Sequence, residues 1–175
     1  SYNGLVFKLN EHIERLFVRQ VPGPSNFSVI INCKGDRTIF VQDVRREHDF
    51  ELTDVTADIV YLTSLGNEWR KPYKKILDFV EEQGAMLAFN PGSRQLREGK
   101  DVVHAVMKKS QMLFVNKEEA ELILFDKQTT QSGETYIREL LTKLRDLGPK
   151  VVLITDGKKG SYAIDDSGGF HSQGI

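Results

Sequence analysis

The sequence predicts an α/β fold with a mainly parallel sheet and an additional β-hairpin, and three observations carry that prediction. Four short apolar runs, at 58–62, 86–89, 112–115 and 151–155, have the length of strands rather than buried helices. Between them lie stretches whose apolar residues recur at helical spacing. The runs are apolar throughout instead of alternating, which is the pattern of parallel strands covered on both faces.

In chain order, Leu5, Leu9, His12, Ile13 and Leu16 recur at helical spacing, so an amphipathic helix is expected before the breaker cluster Val21-Pro22-Gly23-Pro24. The β-rich runs Ser28-Val29-Ile30-Ile31-Asn32 and Thr38-Ile39-Phe40-Val41, joined across Lys34-Gly35-Asp36, give a hairpin over 28–41. Residues 43–55 are charged and turn-like. The alternating part then runs over 57–165. Asp58 to Leu62 is a strand, and Tyr73, Ile76, Leu77 and Val80 form a helical stripe closed by Gly84. Met86 to Phe89 is the next strand, followed by Asn90-Pro91-Gly92 and a helix through Val102, Val103 and Val106. Met112 to Val115 leads into a helix with Ala120, Ile123 and Leu124 on one face. Ile137, Leu140, Leu141 and Leu144 mark a further helix, stopped by Gly148-Pro149, and Val151 to Thr155 is the fourth strand. Residues 1–175 are read as a single domain, with no internal repeat.

The bulk numbers narrow the function. A chain of 175 residues with 39% hydrophobic residues can bury one core. Its 24 Lys and Arg nearly balance 25 Asp and Glu, so no global field draws it to nucleic acid or to anionic lipid. No apolar run reaches the roughly 18 residues of a membrane helix. The one cysteine, Cys33, forms no internal disulfide, and the expected setting is the cytoplasm. The four histidines, His12, His48, His104 and His171, lack ligand spacing. No Walker A loop, dinucleotide fingerprint or Gly-x-Ser-x-Gly elbow is present.

Ligands of an open α/β sheet collect outside the carboxyl ends of its strands, so the residues after each strand are the candidates. Asn116 follows a buried strand and Glu119 lies in the first turn of the next helix. That pair either holds water around a magnesium ion, which keeps much of its own water, or is a capping box that needs no ligand. Thr155-Asp156-Gly157-Lys158-Lys159-Gly160 either turns backbone amides toward an anion, with the Thr155 hydroxyl as a further donor, or is a tight turn into the strand Ser161 to Ile164. Asn90-Pro91-Gly92-Ser93-Arg94 places an amide and a guanidinium at another strand tip.

In order and separation these three motifs resemble the ribokinase-like carbohydrate kinases of the PfkB family: Asn90-Pro91-Gly92 after a strand, Asn116-Lys117-Glu118-Glu119 as Asn-x-x-Glu, and Thr155 to Gly160 as the nucleotide-side turn. The hairpin over 28–41 is similar to that family's paired strands. The resemblance implies a three-layer α/β/α fold and transfer of the ATP γ-phosphoryl group to a sugar or sugar-like hydroxyl, with ATP and Mg2+ required. Asn116 and Glu119 would organise the metal through water, while Thr155, Gly157 and Gly160 would line the nucleotide site. Asn67, Glu68 and Asn90 are candidates for substrate contact. The family's Gly-Ala-Gly-Asp run, with its proton-accepting Asp, is expected after Ile175, and its early sugar-binding motif before Tyr2. The chain is therefore expected to be a partial domain, inactive alone, whose open edges and apolar faces invite homo-oligomer formation. A non-catalytic module binding a nucleotide or a protein on the same scaffold is the alternative.

Overall fold

The computed structural model describes residues 22–33, 36–47 and 50–174. The expected N-terminal helix through Leu5 and Leu16, the Lys34-Gly35 tip of the hairpin and His48 lie outside the described residues. The chain divides into two compact units, residues 1–44 with 49–53 and residues 45–48 with 54–175.

In the first unit, β1 (Phe27–Cys33) pairs antiparallel with β2 (Asp36–Gln42), from Phe27 opposite Gln42 to Cys33 opposite Asp36. The hairpin is one residue longer at each end than its sequence pattern indicates. The register puts Phe27, Val29, Ile31 and Phe40 on one face and Ile30, Ile39 and Val41 on the other, so neither face is polar.

The second unit holds a six-stranded sheet in strictly sequential order: β3 (Ile59–Leu62), β4 (Met86–Phe89), β5 (Met112–Asn116), β6 (Val151–Thr155), β7 (Ser161–Ile164) and β8 (Phe170–Gln173). The pairs from β3 to β6 are parallel, and β7 and β8 add two antiparallel pairs. Five helices link the parallel strands: α1 (Arg70–Gln83), α2 (Ser93–Glu98), α3 (Lys100–Lys109), α4 (Lys117–Phe125) and α5 (Glu134–Asp146). The single helix expected through Val106 is two, because the chain breaks at Gly99. A side chain there would run into the indole of Trp69, which is itself fully buried.

Right-handed crossovers that step one way across a sheet set their helices on one face, and burial follows that rule. Leu87, Phe89, Leu113, Val152 and Ile154 are fully buried on the face shared with the helices. On the opposite face Ile59, Tyr61 and Met86 are 54%, 59% and 42% exposed, and Tyr61 meets Phe114 edge-to-face with centroids 6.1 Å apart. Leu140, Leu141 and Leu144 of α5 and Val103, Val106 and Met107 of α3 complete the core.

The β7–β8 connection, read from sequence as a turn around Asp165 and Asp166, is closed by Asp165. Its carboxylate lies 2.7 Å from His171 Nε2 and accepts from Ser167 Oγ (2.6 Å) and from the Gly169 amide (2.7 Å). His171 first, then Ser167 and Gly169, hold the Asp165 carboxyl well below the usual carboxylate range.

Two expectations follow for thermal unfolding. Ile154→Ala, on the covered face, should destabilise by about 2–5 kcal/mol, whereas Ile59→Ala on the open face should cost under about 1 kcal/mol; equal losses would contradict the one-sided core. Because the folded Asp165 carboxyl is depressed, its contribution exists at neutral pH and disappears as pH falls below about 4. Asp165→Asn should therefore melt below wild type at pH 7, with the gap narrowing in acid, and a gap independent of pH would refute this account.

Candidate functional site

The parallel register sets the site. Asn116, the last residue of β5, pairs with Thr155, the last residue of β6, so both reach the carboxyl edge of the sheet side by side. The start of α4 and the turn after β6 rise from these two neighbouring residues.

At α4 the capping box is complete. The Glu119 amide donates to Asn116 Oδ1 at 2.7 Å, and the Asn116 amide donates to Glu119 Oε2 at 2.9 Å. This satisfies two of the amide donors that a helix start leaves open. Glu119 Oε1 has no hydrogen bond among the described residues. Burial, outweighing the bond from the Asn116 amide and aided by the charge of Glu118, raises the Glu119 carboxyl above the usual range. A carboxylate that is costly to ionise and keeps one oxygen open suits a neighbouring cation, the charge that would offset its burial.

The segment after Thr155 is a tight turn into the next strand. Gly157–Lys159 is a single 3-10 turn, closed by Asp156 N to Gly160 O (2.9 Å) and Gly160 N to Gly157 O (3.2 Å), and it carries the chain into β7. Gly157 (φ 50) and Gly160 (φ 96) occupy conformations that disfavour side chains. At Gly160 a side chain would also strike the carbonyl of Gln173 in β8. Thr155, Gly157 and Lys158 form the exposed crown of the turn. Lys159 sits 3.2 Å from Asp156.

The other candidates are engaged in contacts of their own. Asn90 Nδ2 donates to the Phe114 carbonyl at 2.7 Å, tying the tip of β4 to β5. In the connection after β3, Asn67 Oδ1 accepts from Arg94 at 2.5 Å, and Glu68 pairs with Arg45 at 2.6 Å. That connection is braced further by Tyr73, whose hydroxyl donates to the Thr63 carbonyl (3.1 Å), and by Gln95, whose amide donates to the Leu65 carbonyl (2.7 Å). Gly92 lies against Ser64, where a side chain would fall 2.5 Å from the Ser64 Cβ. Ser64 and Gln95 thus shape this strand tip more directly than Asn67 or Glu68.

One cluster has no counterpart in the sequence reading. Glu121, fully buried in α4, receives four donors: Thr129 N (3.0 Å), Thr129 Oγ1 (2.8 Å), the Tyr136 hydroxyl (3.1 Å) and Lys117 Nζ (3.2 Å). Burial pushes its carboxyl up, but those donors outweigh burial and hold it below the usual range. The available signal was the four-residue spacing of Lys117 and Glu121, in line with the buried stripe of the helix.

This is an α/β domain whose polar groups gather at the carboxyl edge of a parallel sheet, around an Asn–Glu helix start and a glycine turn. The chain belongs to the pfkB family of carbohydrate kinases, whose profile matches residues 10–175. It is 24% identical over 173 residues to an ATP-dependent 6-phosphofructokinase of Thermoanaerobacterium thermosaccharolyticum, covering 90% of this chain and 51% of that protein. The chain thus spans about half the length of this relative. The structure of a ribokinase from Giardia lamblia matches with TM-score 0.62 at 17% identity, over 90% of this chain and 50% of that one. The pyridoxal kinase from Staphylococcus aureus in complex with AMP-PCP and pyridoxal matches with TM-score 0.57 at 15% identity, over 83% and 56%. At such identities these structures establish the shared ribokinase-like fold.

Asn116→Ala removes the side-chain acceptor of the box and should cost about 0.5–2 kcal/mol in denaturant unfolding, while Asn116→Asp, which keeps an acceptor, should cost much less. Equal losses would show that the box contributes no specific capping.

Proposed function

We propose that residues 1–175 form the nucleotide and magnesium side of an ATP-dependent kinase that phosphorylates a sugar or sugar-like hydroxyl. The observation that supports it best is the meeting of Asn116, Glu119 and Thr155 at one edge of the sheet, with Glu119 Oε1 left open, in a chain of this family. In this reading Glu119 holds Mg2+ through water and Asn116 fixes the carboxylate that does so. Thr155, Gly157 and Gly160 line the phosphates of ATP. The metal supplies charge neutralisation between phosphates during transfer. The substrate side is assigned to Asn90, Asn67 and Glu68, each of which also carries a contact within the chain, to the Phe114 carbonyl, Arg94 and Arg45 respectively. The phosphofructokinase, ribokinase and pyridoxal kinase among the similar proteins leave the acceptor open between a sugar and another small hydroxyl compound. A cytoplasmic setting agrees with the observation that no helix among the described residues is long and apolar enough to cross a membrane.

The completed capping box equally suits a non-catalytic module, and Glu119→Gln tests whether this edge holds magnesium and nucleotide or only caps a helix. Glutamine serves in a capping box as well as glutamate does, so the helix start survives while the charge is lost. Because the folded Glu119 carboxyl is raised, its ionisation works against folding from about pH 4.3 upward through its raised value. Glu119→Gln should therefore melt at or above wild type at pH 7. By calorimetry it should also bind ATP with Mg2+ about tenfold more weakly, the scale of one charge-assisted contact. Wild-type affinity retained in the variant would leave Glu119 as a cap alone.

A further inference from the structure

A lysine at the first position of α4 is unfavourable by ordinary helix rules. Lys117 lies at the positive end of the helix dipole, and a Lys followed four residues later by Glu is the weaker orientation of such a pair. It is nonetheless only 8% exposed, with its ammonium 3.2 Å from Glu121, which is fully buried. A buried ion pair seldom adds stability over an apolar pair of similar size, so stability alone is a poor explanation for this one.

The geometry of the cluster offers another. Glu121 draws donors from three successive parts of the chain: Lys117 in the first turn of α4, Thr129 in the connection 126–133, and Tyr136 in the first turn of α5. Thr129 Oγ1 and the Tyr136 hydroxyl are also 3.0 Å apart, so the two hydroxyls converge on the same Glu121 oxygen. Lys117 stands between Asn116 and Glu118. The Lys117–Glu121 pair ties the first turn of α4, which carries Glu119, to its second turn, and Glu121 in turn bonds Thr129 of the connection and Tyr136 of α5. An apolar pair in the same place would pack the turn without carrying hydrogen bonds on to Thr129 and Tyr136.

We infer that Glu121 is a positioning residue for the magnesium–nucleotide site: through Lys117 and Thr129 it locks the first turn of α4 so that the Glu119 carboxylate keeps its aim. The inference rests on the kinase reading for the ligand, though not for the lock itself. The test compares wild type, Glu121→Gln, and the double variant Lys117→Met with Glu121→Leu, which replaces the ion pair by an apolar one. Hydrogen exchange of the Glu119 amide, calorimetric affinity for ATP with Mg2+, and melting temperature are measured for each.

In Glu121→Gln the Glu119 amide should exchange about tenfold faster and nucleotide should bind about tenfold more weakly, the scale of a lost charge-assisted hydrogen bond. The double variant removes the acceptor of the Thr129 amide and should melt below wild type, and it should show both defects. If it regains wild-type amide protection and affinity, the network is a packing element and the inference fails. If amide exchange is unchanged in both variants, the lock does not exist. If wild type binds no nucleotide while exchange responds as expected, the kinase reading of the edge fails, and with it the ligand half of the inference, but the lock stands.

Discussion

The register of the parallel strands is the constraint on which the rest of this structure depends. Pairing Met112 with Val151 carries through three residues to pair Asn116 with Thr155. A slip of β6 by one residue would turn Val152 and Ile154 away from the helices. It would also separate the helix start from the glycine turn. The same hydrophobic pattern that builds the core therefore aligns the polar groups at its edge, so the site needs no separate positioning between strands.

Within that edge the two readings of Asn116 and Glu119 are compatible. The capping box uses one carboxylate oxygen and leaves the other, so a residue can finish a helix and still face a ligand. The turn after β6 is similar: it is a hairpin connection by its hydrogen bonds, while its glycines keep the crown narrow and exposed. In both places the local structural role is fully satisfied by contacts within the chain, and it fixes the geometry from which any ligand contact would be made.

The strands and most helices were legible in the sequence because their signals are local. Periodicity marks α5 through Ile137, Leu140, Leu141 and Leu144, and the breakers at Gly84 and Gly148-Pro149 mark the ends of α1 and of the segment after α5. The break at Gly99 was not legible, since the apolar spacing runs on past it and the approach of the Trp69 indole, thirty residues upstream, is tertiary. Nor was the strand β8, whose four residues lack a continuous apolar run and are held by pairing to β7. At the site, Asn116 and Thr155 could be chosen by position after a strand, but the engagement of Asn67 by Arg94 and of Glu68 by Arg45 is tertiary. Glu121 was hidden for the opposite reason: an acidic residue in a charged segment reads as solvated, and only the donors converging from Thr129 and Tyr136 explain its burial.

Among the described residues of the second unit the sheet is covered by helices on one side, and this has a consequence for how the sequence can drift. Along β5 and β6, alternate codons answer to different selection. Leu113, Val115, Val152 and Ile154 are enclosed by helices whose own side chains would have to change in concert, so substitutions there arrive coupled or are purged. Met112, Phe114, Val151 and Leu153 look toward the more accessible side and can exchange one apolar residue for another singly. Homologous chains should accordingly diverge along these strands with a period of two, and the slow positions trace the face that binds the helices even where overall identity has fallen too low to align them.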